Sequence, residues 1–328
     1  MYNFCTLFDT HYLSRGLALY YSLEKYCDNF HLYIFAFNNK CFEVLTKFNL
    51  KHATIISLKE FEDEELLKVK PTRSIAEYCW TSTSSTILYV LKNYNVESCT
   101  YLDADMFFYS SPEPIFSELG EKSILLTEHR YSRQYNKAVK AGKYCVQFVT
   151  FKNNKEGLTA LNWWRERCLE WCYNRHEDGK FGDQLYLDDW TERFEGVHVM
   201  RHLGGGLAAW NVQQYAFKKT NNKITGTEIS SGNKFDAVFY HFHYLRFIQD
   251  GTIELGRRVL TNEVKDIFYK PYILFLDELK EKINKIDDSF DPHGPGAKSV
   301  SWKTPILYVY RHIKGVYNIF DKEQFLRS

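Results

Sequence analysis

The chain lacks an excess of charge of either sign. Its 328 residues include 42 Lys and Arg against 41 Asp and Glu, which leaves a formal net charge of +1 at pH 7. A protein that binds nucleic acid through its overall electrostatic field carries a clear positive excess. The composition therefore predicts no nucleic-acid partner.

Long apolar runs are also missing. The longest, such as residues 32–37 and 272–276, have the length of a β-strand, whereas a membrane-spanning helix needs about 18 or more apolar residues. Residues 1–5 show neither the basic segment nor the cleavage site of a secretory signal. These features predict a cytoplasmic location.

The eight cysteines include no CxxC pair. In a cytoplasmic chain we interpret them as reduced, small hydrophobic side chains rather than as a metal or disulfide framework. Aromatic residues, by contrast, make up 17% of the chain. Such rings build large cores and also stack on sugars and bases, so composition alone leaves their purpose open.

Strand-like and helix-like segments alternate in the first third of the chain. Residues 3–8, 32–37 and 99–102 are short apolar runs typical of buried strands, while residues 12–26 and 74–91 repeat apolar side chains at helical spacing. This alternation predicts an α/β fold with a mostly parallel sheet flanked by helices. In such sheets, ligands bind beyond the carboxyl ends of the strands.

Two acids follow the predicted strand 99–102. Asp103 and Asp105 form a DxD tripeptide, and two carboxylates just past a strand end bind a hard divalent cation while leaving coordination positions open for a diphosphate. The tripeptide alone is common. Its position after an apolar strand indicates a metal site.

Two histidines alternate with aromatic residues late in the chain. His241 and His243 lie on a predicted strand over residues 237–244, where side chains two residues apart point to the same face. Imidazole beside a carboxylate pair suits Mn²⁺ or a similar ion. The alternative is that one of the two is a packed, hydrogen-bonded core residue.

Together these motifs resemble those of the GT-A fold (Rossmann-like) nucleotide-sugar glycosyltransferases, most closely glycosyltransferase family 8. Asp103 and Asp105 match the family's DxD, and His241 begins a segment similar to its late His-Phe-x-Gly type motif. Tyr244 stands where that motif has Gly, and the Lys-Pro-Trp that often follows is absent. His243 therefore stays an alternative metal ligand.

The resemblance covers residues 1–245, the predicted catalytic domain, and leaves residues 246–328 as a predicted helical C-terminal extension. Residues 77–81 (EYCWT) and 181–184 (FGDQ) are also similar to segments of bacterial glycosyltransferases from surface-polysaccharide gene clusters. Within the extension, residues 287–296 have the composition of a linker.

The resemblance implies a metal-dependent, hexosyltransferase-like enzyme. Mn²⁺ or Mg²⁺ is the implied cofactor, and a nucleoside diphosphate sugar, UDP-sugar by family default, is the implied donor. The implied acceptor is a hydroxyl of a glycan or lipid-linked glycan in bacterial surface polysaccharide (lipopolysaccharide or capsule) synthesis. Retention of anomeric configuration is implied as well.

Further site residues follow from the resemblance. Asp9 and Thr10 are expected to contact the nucleobase and ribose, and Arg73 to neutralise phosphate or hold the donor sugar, unless it is a solvated arginine at a helix start. Asp183 and Gln184 resemble an Asp-Gln pair at the family's reaction centre, where they stabilise positive charge or orient the acceptor. The alternative for Asp183 is a helix N-cap.

A run of three glycines, residues 204–206, permits close approach of backbone to a ligand, and Gly205 is assigned to the donor site on this ground. The run matches neither a P-loop nor a dinucleotide-binding fingerprint. Trp210 and Asn211 follow as a predicted sugar platform and hydrogen-bond donor, with a core position as the alternative for Trp210.

The tail is basic and aromatic. The last 33 residues hold six Lys or Arg and two Asp or Glu, a local net charge of +4. Residues 302–320 favour an interfacial segment on anionic lipid, at the inner face of the cell membrane. The alternative is a helix packed on the domain or on a partner subunit.

Two other functions stay open. A metal-dependent phosphohydrolase could use the same acids and histidines, although the sequence offers no second Asp/His cluster for a two-metal site. A catalytically silent carbohydrate-binding protein could keep the same fold. Both carboxylates of the DxD are present, which favours the enzyme.

Overall fold

The computed structural model describes residues 1–221, 223–297 and 304–328. Its strands are, in chain order, β1 (Tyr2–Phe8), β2 (Phe30–Ala36), β3 (Ala53–Ser57), β4 (Ser98–Leu102), β5 (Met106–Phe108), β6 (Ile124–Glu128), β7 (Tyr144–Lys152), β8 (Val197–Val199), β9 (Leu207–Ala208), β10 (Tyr215–Thr220), β11 (Lys223–Glu228), β12 (Lys234–Asp236), β13 (Phe239–His241), β14 (Arg246–Phe247), β15 (Thr252–Glu254) and β16 (Ile319–Asp321).

The helices alternate with the strands in the first half of the chain. They are α1 (Leu13–Tyr26), α2 (Asn39–Phe48), α3 (Leu58–Phe61), α4 (Glu64–Val69), α5 (Ile75–Asn93), α6 (Glu113–Leu119), α7 (Ala138–Ala141), α8 (Lys155–Glu170), α9 (Trp190–Arg193), α10 (Asn262–Val264), α11 (Lys270–Asn284), α12 (Thr304–Ile313) and α13 (Lys322–Arg327).

The central sheet has the strand order β3-β2-β1-β4-β7-β6-β8. All of its strands run parallel except β7, which is antiparallel to both of its neighbours. The predicted α/β fold with a mostly parallel sheet is confirmed. Because β1, β2 and β4 point the same way, the loops after them meet at one edge of the sheet.

Alternate residues of the central strand β1 point into two separate hydrophobic cores. Phe4 and Phe8 belong to the core that includes α1 and α11, whereas Cys5 and Leu7 belong to the core that includes α5 and α8. A sheet covered on both faces requires strands that are apolar throughout. This requirement explains the short, unbroken apolar runs in the sequence.

The long helix α5 begins with a capping box. The Glu77 carboxylate accepts from the Ser74 N–H at 2.8 Å, and the Ser74 hydroxyl accepts from the Glu77 N–H at 3.4 Å. Two otherwise unpaired backbone donors are thereby satisfied. Tyr78, in the first half of α5, lies beside Phe37, which follows β2 at the carboxyl edge of the sheet.

Residues after 245 pack into the same core as the first strand. Tyr272, Leu276 and Ile283 of α11 are buried in the cluster that contains Phe4. β14, β15 and β16 form a small sheet, so the predicted extension is helical only in part. The division at residue 245 stays a prediction.

The C-terminal tail combines an exposed helix with an anchored end. α12 exposes Ile306 and Ile313 (63% and 79%), whereas Phe325 is buried and β16 pairs with β15. Trp302 and Lys303, the first two residues of the predicted interfacial segment, lie outside the described residues. Within the described ranges, no helix combines the length and apolar character needed to cross a bilayer.

Candidate functional site

The two acids of the DxD tripeptide lie at the carboxyl edge of the central sheet. β4 ends at Leu102, and the Asp103 N–H donates to the Gln147 carbonyl of β7 at 3.1 Å. Asp105 is buried, while the Asp103 side chain keeps 30% of its surface exposed. The Asp105 carboxylate is thus enclosed by the protein, whereas the Asp103 carboxylate is partly exposed to solvent.

A small sheet outside the central one brings His241 to these acids. β13 pairs with β5 so that His241 lies opposite Met106, the residue after Asp105. This register places the His241 Nε2 3.0 Å from the Asp105 Oδ1 and 3.6 Å from the Asp103 Oδ2. Strand pairing therefore joins two motifs that lie far apart in the sequence.

His243 also lies near Asp105, but it is on the loop after β13 rather than on the strand. The predicted strand 237–244 is wrong in extent: β13 ends at His241, and the chain turns so that the Leu245 N–H donates to the Phe242 carbonyl. The two imidazole centroids lie 5.4 Å apart. One ligand atom each from Asp105, His241 and His243 lies within 4.8 Å of the others.

The charges of this cluster are strongly coupled. The His241 charge and hydrogen bond overcome the effect of burial and lower the pKa of Asp105 to about 2, and Asp105 holds the pKa of His241 well above its usual range. Burial and the charge of Asp105 raise the pKa of Asp103 to about 7. Loss of solvation and the charge of His241 lower the pKa of His243 to about 4, although its ring keeps an exposed face.

Gln147 orients the His241 ring through Nδ1, the ring nitrogen that does not face the carboxylates. The side-chain oxygen of Gln147 lies 2.6 Å from the His241 Nδ1, and Gln147 is fully buried. An amide oxygen only accepts, so Nδ1 carries the hydrogen and Nε2 is directed at the carboxylates. Gln147 was not predicted from the sequence, although a Gln inside the apolar strand β7 is a visible signal.

Asp183 lies beside the cluster, and its N-cap alternative is wrong. That alternative requires a helix that begins after Asp183. The chain instead forms a short 3₁₀ turn, Leu185–Leu187, whose N-cap residue is Gln184 and which has no side-chain cap hydrogen bond. Asp183 is buried, and burial together with the charge of Asp103 raises its pKa to about 8. The Gln184 side chain donates to the Ala141 carbonyl.

Asp9 and Thr10 lie in the loop after β1, at the same edge. The Asp9 carboxylate accepts from the His11 N–H at 2.9 Å and caps the turn Thr10–Tyr12. The Thr10 hydroxyl accepts from the Asn38 side chain at 3.1 Å, after β2. Their contact with a nucleoside stays a prediction.

Arg73 lies beside the C-terminal end of α8. Its guanidinium lies 4.0 Å from the Tyr173 ring centroid and donates to the Leu169 carbonyl at 3.1 Å. It is therefore packed rather than fully solvated. None of these contacts is with the acid–histidine cluster, and its role toward phosphate stays a prediction.

The glycine run is explained by packing. A Cβ on Gly205 would lie 2.3 Å from the Met200 sulfur, so this position is closed by the core, and its assignment to the donor site stays a prediction. Gly206 has φ +82°, a conformation that residues with a side chain rarely adopt, and a Cβ there would lie 3.0 to 3.2 Å from the side chains of Thr127, Arg130 and Gln147. The backbone conformation and this packing together favour glycine at the position.

Trp210 and Asn211 support the cluster from the interior. Trp210 is 5% exposed and donates to the His129 carbonyl at 2.9 Å, so the core alternative is confirmed. Its ring centroid lies 5.5 Å from that of His241. Asn211 is fully buried and donates to the carbonyls of His129 and Gly206, so it offers no free donor to a sugar.

Two further residues, one near Asp183 and one near His243, were not assigned from the sequence. Trp80 of α5 is half-buried, and a Cβ on Gly182 would lie 3.5 Å from its ring. Arg246 is exposed, and its positive charge acts on both Tyr12 and His243. Because no described carboxylate pairs with it, Arg246 is a free cation at the mouth of the site.

No family model matches the chain. Among solved structures, the crystal structure of the galactosyltransferase LgtC in complex with donor and acceptor sugar analogs has a TM-score of 0.52 at 11% identity, and the match covers 84% of this chain and 95% of that chain. The architecture is therefore the GT-A fold of glycosyltransferases.

Two proteins of Bacillus subtilis (strain 168) are similar along most of the sequence. The chain is 31% identical to the uncharacterized protein YfnD over 301 residues, which are 89% of this chain and 95% of YfnD. It is 33% identical to the uncharacterized protein YfnF over 259 residues, 76% of this chain and 84% of YfnF. The chain belongs to the family of YfnD and YfnF.

Proposed function

We propose that this protein is a metal-dependent glycosyltransferase. It would move a hexose-like unit from a nucleoside diphosphate sugar, with UDP-sugar as the first choice, to a hydroxyl of a glycan acceptor in bacterial surface polysaccharide synthesis. The observation that carries the proposal is the convergence of Asp105, His241 and His243 at the carboxyl edge of a GT-A sheet, with Asp103 beside them.

The donor set of this cluster fits a divalent cation. Carboxylate oxygens and an imidazole nitrogen held by Gln147 are ligands that Mn²⁺ accepts, and the carboxylates also suit Mg²⁺. Asp103, Asp105 and His241 would hold the ion, with His243 as a further ligand. When bound, the ion would supply positive charge that stabilises a nucleoside diphosphate as leaving group.

The chain's own residues would bind and orient the substrates around this point. Arg246 would contact the diphosphate, because its charge acts on His243 and no described carboxylate pairs with it. Asp9 and Thr10, in the loop after β1 at the same edge of the sheet, would contact the nucleoside. Asp183, buried beside Asp103, would face the sugar carbon at which positive charge develops during transfer.

The decisive experiment is nucleotide binding with and without metal. UDP in the presence of Mn²⁺ is expected to raise the melting temperature, since ligand at 100 times its Kd stabilises by roughly 2.7 kcal/mol. The same nucleotide in EDTA is expected to have no effect, and a panel of nucleotide sugars then identifies the donor. Equal stabilisation in EDTA would contradict the metal-dependent site.

Replacing Gln147 by Leu is expected to weaken Mn²⁺ binding. The substitution keeps the volume but removes the acceptor that holds His241, and loss of such an outer partner typically costs about 10- to 100-fold in metal affinity. Calorimetric titration of the nucleotide-free protein with Mn²⁺ measures the effect. Gln147→Glu keeps an acceptor oxygen and should retain most of the affinity, whereas unchanged binding in Gln147→Leu would refute the orienting role.

A phosphohydrolase and a silent binding protein make different predictions. Hydrolysis without a glycan acceptor would release phosphate from many phosphoesters, whereas a transferase requires the acceptor for turnover. A silent protein would bind donor and form no product. Within the residues that the structure describes, the acid–histidine cluster is the one group with metal-ligand spacing, so no second metal for hydrolysis is indicated.

We keep peripheral contact with an anionic membrane as part of the proposal. Ile306, Val309 and Ile313 lie on one face of α12 and are all exposed, in a tail of net positive charge. The double variant Ile306→Ser/Ile313→Ser is expected to lose co-sedimentation with phosphatidylglycerol vesicles. Val139→Ser, at an exposed apolar residue outside the tail, is the control, and equal sedimentation of wild type and double variant would contradict the contact.

A further inference from the structure

A groove of about 450 Å³ runs between α12 and the segment 257–259, separate from the acid–histidine cluster. Four cationic side chains line it and no acidic one does: Arg257, Arg258, Arg311 and Lys314. Glu254 pairs with two of these cations, 3.1 Å from Arg311 and 3.9 Å from Arg257. One carboxylate against four cations leaves the groove with a net positive charge.

Arg258 is a buried cation of this groove whose guanidinium is held between aromatic rings. It is 9% exposed, its Nε has no hydrogen-bond partner, and no described carboxylate forms an ion pair with it. Its guanidinium lies 4.7 Å from the Tyr135 ring centroid and 5.6 Å from that of Tyr244. Aromatic rings hold a guanidinium in place without neutralising it, so the charge stays available to a ligand.

The two faces of α12 differ in chemistry. Leu307, Tyr310, Arg311 and Lys314 face the groove at helical spacing, whereas Ile306 and Ile313 lie on the exposed outer face. The groove face is cationic and the outer face is aliphatic. An anionic ligand in the groove and a lipid surface outside therefore involve different residues.

The groove is close to the acid–histidine cluster. The Tyr244 ring, against which Arg258 lies, is 4.6 Å from the His243 ring. A second cavity shares Gln134 with the groove and includes Ser132, whose hydroxyl donates to the Trp210 carbonyl at 2.9 Å. One aromatic side chain, Tyr244, therefore separates Arg258 from His243.

We propose that this groove binds a phosphate-bearing group of the acceptor, so that a neighbouring sugar hydroxyl reaches the metal site. Four converging cations match the charge of a phosphate or pyrophosphate ester, and planar guanidinium groups bind its oxygens in pairs. The acceptor role rests on the transferase function proposed above. The anion site itself does not, because none of its residues belongs to the acid–histidine cluster.

Calorimetric titration with inorganic pyrophosphate in EDTA tests the site without involving the metal-dependent donor site. The wild type is expected to bind, and the exposed double variant Arg257→Gln/Lys314→Gln to bind at least about tenfold more weakly, the effect of losing charged hydrogen bonds. Arg258→Gln is expected to lose as much. Arg193→Gln, an exposed arginine paired with Asp189, is the matched control and should bind as the wild type does.

UDP binding with Mn²⁺ should be unchanged in the groove variants, which separates this proposal from the transferase proposal. Absence of pyrophosphate binding in wild type, or equal binding in the double variant, would overturn the groove site even if UDP binding stands. Phosphatidylglycerol vesicles form the second arm. Binding to vesicles without any binding of free pyrophosphate would assign the cations to a lipid surface and overturn an acceptor site.

Discussion

Asp105→Asn is expected to abolish sugar transfer and metal-dependent nucleotide binding while the fold persists. Asp105 is buried, and its Oδ1 lies 3.0 Å from the His241 Nε2. The amide keeps the size of the carboxylate but lacks the charge that a divalent cation requires. We expect turnover to fall by ~10³-fold or more, about 4 kcal/mol of transition-state stabilisation. Turnover, nucleotide binding with Mn²⁺ and circular dichroism together measure the effect.

Asp277→Asn is the matched control for this variant. Asp277 also pairs with a buried histidine, His293, at 3.1 Å, but it lies on α11 and contacts Lys322 of the tail. Its loss should lower thermal stability without changing nucleotide binding. If Asp105→Asn still binds UDP with Mn²⁺ as tightly as the wild type, the assignment of the metal centre is wrong.

Asp183→Asn is expected to lower kcat by at least ~10²-fold with little change in the Kd of the nucleotide sugar. Burial and the charge of Asp103 favour the neutral acid of Asp183 in the metal-free protein, whereas a bound divalent cation would favour its carboxylate form. A carboxylate near the transferring carbon acts once positive charge develops there, so its loss affects the transition state more than the bound donor. Because Asp183 is not a helix cap here, a capping effect cannot produce the same result. Gln184→Ala should be milder, since its amide is engaged with Ala141.

Steady-state kinetics with separate donor-binding measurements distinguish these effects. Asp188→Asn serves as the control, because Asp188 lies on the same segment and accepts from the Lys143 N–H at 2.7 Å, a contact that belongs to the loop rather than to the cluster. Its kcat should stay near that of the wild type. An Asp183→Asn enzyme with normal kcat would remove Asp183 from the reaction centre.

The elements around the central sheet were predictable because their sequence patterns are local. The apolar run of β1 and the helical spacing of α1 and α5 are patterns among residues that are close in the sequence. The observed bounds differ from the predicted ones by one or two residues. Where burial depended on distant packing, prediction failed. The eight-residue strand predicted around His241 is three residues long, because the chain turns back toward Asp105.

Individual residues of the site were predictable from the sequence, but their arrangement in space was not. The sequence alone determined the fold class, the position of Asp103 and Asp105 after a strand, and the two candidate histidines. Only the tertiary structure decided that Gln147 holds His241, that Trp210 and Gly205 belong to the core, and that four cations meet in one groove. Gln147 and His241 are 94 residues apart. Contacts at such separation depend on strand register and helix packing, which no local pattern of residue types records.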